Sequence, residues 1–231
     1  MANSETNRYH NTFEDLLKFD AGTYCDLGPG RGEIAIKLKE AGKSVIALEA
    51  PWEFEERTAW AKENGINVYP GEFFETNFEA AIPEKVSCFS LIHAIAHFRF
   101  APHVLLEKVY NKLEPGGYFY LSTVNGGSLD RVLRLFRGGT VTEEVKKETN
   151  NEFYEDYCKY YNPTGRYMIW DDWMHVKEYT APELKKIFEA EKFEVVDLRF
   201  RNNFIHWKSK LACRFKPHLA EEIIIVGRKP E

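Results

Sequence analysis

The sequence predicts an α/β fold built around a mostly parallel sheet. Three observations carry this reading. Strand and helix patterns alternate from residue 21 to about 125, a glycine-rich turn joins the first strand directly to an amphipathic run, and two further apolar strand patterns close the chain. With 231 residues, 44% apolar and 15% aromatic, the chain can bury one full core, and a single domain over 1–231 is expected.

The first strand, Tyr24 to Leu27, runs into glycines at 28, 30 and 32, and Glu33 to Lys43 follows as a helix. Glycine permits a sharp turn with φ > 0 and removes side chains that would keep a ligand from the main chain, while the helix that follows offers it free N-terminal amides. A second strand, Lys43 to Glu49, ends in an acid. Phe54 to Asn64 reads as a helix, Ile66 to Tyr69 as a third strand and Val86 to Ile92 as a fourth. The helix Pro102 to Leu113 is closed by Glu114-Pro115-Gly116-Gly117, which turns the chain into the alternating strand Tyr118 to Asn125. Residues 126–175 then break the alternation with glycine, charge and aromatic rings, and read as an inserted cap. Thr180-Ala181-Pro182-Glu183 starts a helix to about Lys192, with a threonine cap, an early proline and a glutamate reaching back. Phe193 to Leu198 and Glu222 to Arg228 are the sixth and seventh strands.

A dinucleotide fingerprint would require glycine at position 33, where this chain has Glu33. The actual series is Asp26-x-Gly28-x-Gly30-x-Gly32, and a carboxylate two residues before the first glycine suits a cationic ligand better than a pyrophosphate. This motif, with the acid Glu49 ending the second strand, resembles the class I S-adenosylmethionine-dependent methyltransferases. The resemblance covers residues 21–125 and 175–229 and leaves the insert and the N-terminal arm unmatched. It implies a Rossmann-like, seven-stranded, mostly parallel sheet with a C-terminal antiparallel hairpin. It also implies that S-adenosylmethionine is the cofactor and S-adenosylhomocysteine the product, bound through Asp26, Gly28, Gly30 and Gly32, with Glu49 on the ribose hydroxyls. Glu72 and Phe73 correspond to the glycine-acid pair that lies beside adenine, although the family more often has aspartate there. The Gly116-Gly117 turn resembles the family's "LKPGG" turn and is structural.

In this architecture the end of the fourth strand faces the transferred methyl, and the sequence places His93 and His97 there. Histidine titrates in the range a general base needs, and in-line transfer to a hydroxyl requires one proton to be removed. His97 aligns with the histidine of a common "E-H" pair whose acid is replaced here by Ala96. His175 opens an "H-x-x-x-[YF]-[ST]" approach that often lines the acceptor pocket. These three are the candidate catalytic residues. Tyr157, Tyr161, Trp170 and Trp173 in the insert are candidate substrate contacts, because polar-tipped rings build pockets that also offer hydrogen bonds. The spacing of His93 and His97 would fit a metal only with a third ligand, and none is expected. The acceptor is expected to be a small molecule, sugar or glycan intermediate, methylated on oxygen. Nitrogen, carboxylate and phosphate acceptors are the alternatives, and a degenerate cofactor-binding module is the non-enzyme reading. A nicotinamide oxidoreductase is disfavoured by Glu33.

A formal charge of -5 argues against a nucleic-acid partner. Cysteines at 25, 88, 158 and 213 lack C-x-x-C spacing and read as reduced core residues. No apolar run approaches ~18 residues, and the polar start Met1-Ala2-Asn3-Ser4-Glu5 does not read as a signal peptide, so a cytoplasmic location is expected. From Leu198 to Ala220 there are six Lys or Arg residues and no acid. That run fits an amphipathic crossover, or contact with an anionic or lipid-linked acceptor or with a membrane surface.

Overall fold

A computed structural model describes residues 4–51, 54–73, 78–82, 85–142, 175–202 and 207–231. Seven strands form one sheet in the order β3-β2-β1-β4-β5-β7-β6. They are β1 (Thr23–Leu27), β2 (Ser44–Glu49), β3 (Asn67–Pro70), β4 (Val86–Ile92), β5 (Leu113–Val124), β6 (Glu194–Arg201) and β7 (Glu222–Arg228). The first five run parallel, and β7 is antiparallel to both β5 and β6, which is the expected C-terminal hairpin.

The helices are α1 (Ser4–Leu16), α2 (Glu33–Glu40), α3 (Phe54–Arg57), α4 (Ala59–Glu63), α5 (Phe78–Ala81), α6 (His103–Lys112), α7 (Leu129–Phe136), α8 (Ala181–Ala190) and α9 (Trp207–Phe215). Period-two burial sorts the strands between two layers. Cys25, Leu27, Phe119, Leu121, Ile223 and Ile225 pack with α6 and α8, while Tyr24, Tyr120, Ile224 and Val226 pack with Leu16 of α1 and Ile34, Ala35 and Leu38 of α2. Each such Leu, Ile, Val or Phe side chain, fully buried, contributes ~1.5–3 kcal/mol.

Three departures from the sequence reading have a cause visible in the structure. The single helix expected over 54–64 is broken into α3 and α4, because the Thr58 hydroxyl donates back to the Phe54 carbonyl at 2.6 Å and bends the chain there. The turn expected at 114–117 belongs to β5: Gly116 N–H donates to the Lys229 carbonyl and Lys229 N–H to the Gly117 carbonyl, both at 2.9 Å, so the tail after β7 draws it into the ladder across a register shift. The sixth strand continues past Leu198 to Arg201 because it pairs with β7 along that whole length. Helices α1, α7 and α9 lie where the sequence reading assigned an arm, a cap and a crossover.

α1 is tied down by polar groups as well as by packing. Tyr24 Oη donates to the Leu16 and Phe19 carbonyls at 3.2 and 2.9 Å. Asp15 receives Arg201 Nη2 at 2.6 Å and also pairs with Arg199. Two of the six cations of the basic run are therefore held by an acid of the first helix and do not form a free anion site.

Candidate functional site

The sheet order reverses between β1 and β4, and in open α/β sheets ligands bind at the carboxyl edge beside such a reversal. Gly28, Gly30 and Gly32 take φ of 64°, 55° and 74° between β1 and α2. A methyl group on Gly32 would land on the Trp60 ring, whose Nε1 donates to the Gly30 carbonyl at 2.9 Å. α4 thus clamps the turn from outside through one indole. Nothing lies within 4 Å of where a Gly30 side chain would begin, so the turn is open to a ligand at its centre.

Asp26 is buried at the end of β1 and accepts from Ser90 Oγ of β4 at 2.7 Å. Burial pushes its pKa up to about 7; the Ser90 hydrogen bond opposes this, and the charges of Glu49 and Glu33 reinforce it. A buried carboxylate that resists ionisation is poised for a cation. Glu49, at the tip of β2, is also buried. Its Oε1 accepts from Ala50 N–H at 2.9 Å and pairs with Arg57 Nη2 at 3.2 Å. Its Oε2 has no hydrogen-bond partner among the described residues. A buried carboxylate oxygen left over in this way fits a ligand hydroxyl, as ribose recognition requires.

Glu72 and Phe73 follow β3. Gly71 N–H donates to the Glu49 carbonyl at 2.9 Å, which brings the pair beside the β2 tip. Glu72 is buried, and the Phe73 ring stands 3.5 Å from where a Gly28 side chain would begin. All seven cofactor candidates therefore line one stretch of the edge, from the glycine turn past the ends of β2 and β3.

The histidines divide. His93 sits at the tip of β4 with φ 55°, a left-handed conformation uncommon for a side chain larger than glycine. Its N–H donates to the Ser122 carbonyl at 2.9 Å, and its Nε2 lies 2.9 Å from Glu222 Oε1. Glu222 is 1% exposed and also receives Arg201 Nη1 at 3.4 Å. His97 ends a 3₁₀ turn over Ile95–His97, and its ring meets His175 edge-on at 4.9 Å. His175 Nδ1 lies 2.8 Å from Glu178 Oε1, and Arg131 of α7 grips both Glu178 oxygens at 2.7 Å. Burial would raise the Glu178 pKa, but hydrogen bonds from His175 and Arg131 overcome it and hold it down at about 2. Tyr157, Tyr161, Trp170 and Trp173 lie outside the described residues. Among those described, no group of three or more His, Cys, Asp or Glu side chains is placed to hold a metal ion.

Ser90, Arg57, Trp60, Glu178, Arg131 and Glu222 were not read from the sequence. Except for Glu178, which lies three residues from His175, each is distant in sequence from the residue it supports or lies in a stretch read for packing. The only available signal was the buried acid Glu222 beginning an otherwise apolar strand.

Residues 5–198 match the sequence model of a family described as "Methyltransferase domain". The chain belongs to that family. As a methyltransferase of this kind it uses S-adenosylmethionine, and the buried Asp26 and Glu49 carboxylates beside the open glycine turn fit that ligand. Its fold is shared with a SAM-dependent methyltransferase from Archaeoglobus fulgidus, 18% identical, with TM-score 0.62 over 99% of this chain and 95% of that one. An S-adenosylmethionine-dependent methyltransferase from Clostridium acetobutylicum is 13% identical, with TM-score 0.62 over 96% and 91%. A Thermotoga maritima protein described as a possible histamine N-methyltransferase is 17% identical, with TM-score 0.57 over 98% and 91%. No curated protein matches the sequence significantly. Among the described residues of this methyltransferase, no helix is long and apolar enough to cross a membrane.

Proposed function

We propose that this methyltransferase acts on an oxygen of a small molecule, sugar or glycan intermediate, with His93 as the base. The observation that carries the reading is the 2.9 Å pairing of His93 Nε2 with the buried Glu222 carboxylate. A carboxylate only accepts, so it fixes the proton on Nε2 and leaves the lone pair on Nδ1. Arg201 Nη1 stands 3.4 Å from the other Glu222 oxygen, so both carboxylate oxygens are engaged. S-adenosylmethionine supplies a methyl carbon activated by its sulfonium. As the new C–O bond forms and the C–S bond breaks in line, His93 Nδ1 takes the proton of the acceptor hydroxyl, and Glu222 stabilises the imidazolium that results.

His175 is the second candidate, since Glu178 orients its ring in the same way from the opposite nitrogen. In this reading it hydrogen-bonds the acceptor instead of removing its proton. Cys25, Cys88 and Cys213 are buried thiols, and reduced cysteines of this kind fit a cytoplasmic setting.

The test is turnover on a panel of hydroxyl, amine and carboxylate acceptors by wild type, His93→Asn and His175→Asn. Asparagine tolerates left-handed backbone, so the first variant keeps its turn. Loss of ~10²-fold or more in kcat on hydroxyl acceptors for His93→Asn, with a smaller kcat loss and a raised KM for His175→Asn, supports the assignment. Turnover confined to amines, indifferent to His93, would replace oxygen by nitrogen as the acceptor atom.

A further inference from the structure

The large apolar side chains that stand exposed are not scattered. Nine occur among the described residues, and seven of them lie on α7 and α9: Val132, Leu133, Leu135 and Phe136 on the first, Trp207, Leu211 and Phe215 on the second. Phe136 is 90% exposed, Phe215 73% and Trp207 69%. Soluble surfaces carry such residues singly, and clustering on two short helices marks a contact surface. On α9 the three stand at i, i+4 and i+8, a single stripe along one side, and Lys210 and Arg214 form an exposed row beside it.

The charge of this surface opposes that of the chain. By sequence, 129–137 and 207–216 hold seven Lys or Arg residues and one acid, in a protein whose formal charge is -5. Arg131 and Arg134 are engaged by Glu178 and Asp130. Arg137, Lys210, Arg214 and Lys216 stand exposed around the apolar side chains.

Topology brings the two helices to one place. α7 follows β5 and α9 lies between β6 and β7, and Val124, Arg201 and Glu222 are paired across those three strands. Asn125 Nδ2 donates to the carbonyls of His218 and Ala220 at 2.8 and 2.7 Å, joining the start of α7 to the end of the α9 segment. This is the edge at which Glu222 holds His93.

We propose that α7 and α9 form a docking surface for an anionic lipid bilayer, seating the carboxyl edge of β5 toward the headgroups. Apolar rings beside a row of cations are the chemistry of an interfacial helix: the rings enter the acyl boundary and the cations meet lipid phosphates. The occupant is lipid because basic residues outnumber acids seven to one on these segments and flank apolar rings, whereas a self-complementary dimer of this patch would bring like charges together. The proposal stands on this surface and not on the assignment of His93.

The test is co-sedimentation of the full chain with vesicles of phosphatidylcholine alone and of phosphatidylcholine mixed with phosphatidylglycerol. The wild type is expected to sediment with the mixed vesicles and not with the neutral ones, and to be released by salt. Lys210→Glu with Arg214→Glu should weaken binding by more than ~tenfold, and Phe136→Ser with Phe215→Ser should abolish it. Calorimetric binding of S-adenosylmethionine, kept by both variants, shows that they are folded. Wild-type protein that stays in the supernatant with both vesicle types overturns the proposal. So does equal sedimentation of the variants. A wild-type dimer dissolved by the phenylalanine changes, with no vesicle binding, would give the surface to a second copy instead.

Discussion

Glu222 reaches back across 129 positions of sequence to hold His93 Nε2 at 2.9 Å. The first residue of the last strand thus orients a ring that the fourth strand delivers in a left-handed turn. Strained backbone of this kind costs ~1–3 kcal/mol and persists only where its surroundings enforce it. Here they are the Ser122 carbonyl on the main chain and Glu222 on the ring.

Glu222→Gln is expected to keep the fold and lower kcat by ~10-fold or more, because an amide can present its N–H₂ to Nε2 and permit the wrong tautomer. The pH profile of kcat read beside that of wild type checks it. A positioning role moves the acid limb, along which the base loses its proton, and lowers kcat while KM for S-adenosylmethionine stays fixed. A purely structural role would change thermal stability alone.

Asp26→Asn should weaken S-adenosylmethionine binding by more than ~tenfold while stabilising the apo protein at pH 8. The sign follows from its raised pKa of about 7. Between the ordinary carboxylate range and pH 7 the folded state binds the extra proton, so apo stability falls as pH rises through that window and levels above it. Thermal melts from pH 5 to 8 should show this fall for wild type and a flatter profile for the variant. Cofactor affinity should run the other way, rising toward pH 8 as Asp26 ionises, with proton uptake or release read by calorimetry in two buffers.

Glu49→Gln should cost ~1.5–3 kcal/mol of cofactor affinity, the range of a hydrogen bond to a charged group, by weakening what Oε2 offers a sugar hydroxyl. The comparison that isolates the ribose is binding of 2′-deoxyadenosyl and adenosyl ligands. Wild type should distinguish them and the variant should do so much less.

Gly32→Ala should be the most damaging single change in the glycine turn. Its φ of 74° disfavours any side chain, and the new methyl would collide with Trp60 and break its hold on the Gly30 carbonyl. Gly30→Ala carries similar strain with φ of 55° but meets open space. A denaturant titration should therefore show the larger loss at Gly32, and cofactor titration a loss at both.

The parallel half of the fold was legible because Asp26, the glycine turn and Glu49 sit within local strand-turn-helix units, and the boundaries of β4 and β7 agree with the pattern of Val86 to Ile92 and Glu222 to Arg228. What stayed hidden depended on tertiary partners. Thr58 breaks a helix through its own hydroxyl, which propensity alone does not weigh against continuation. Arg201 read as part of a basic run because nothing local announces that Asp15, 186 positions away, will receive it. Glu178 looked like one charge in a histidine-containing approach, and only the fold brings Arg131 onto it. Periodicity reports the burial of an element and is silent about which charges meet across the sheet.

The spacing of the two half-sites along the chain separates them in the order of synthesis. The candidate donor-site residues run from Asp26 to Phe73 and leave the ribosome well before Glu222, the carboxylate that pairs with His93 from 129 positions further along the chain. Closing so long a loop is slow compared with forming neighbouring strand-helix units. A chain cut short before Glu222 would still carry every candidate donor-site residue, yet His93 would lack its carboxylate partner.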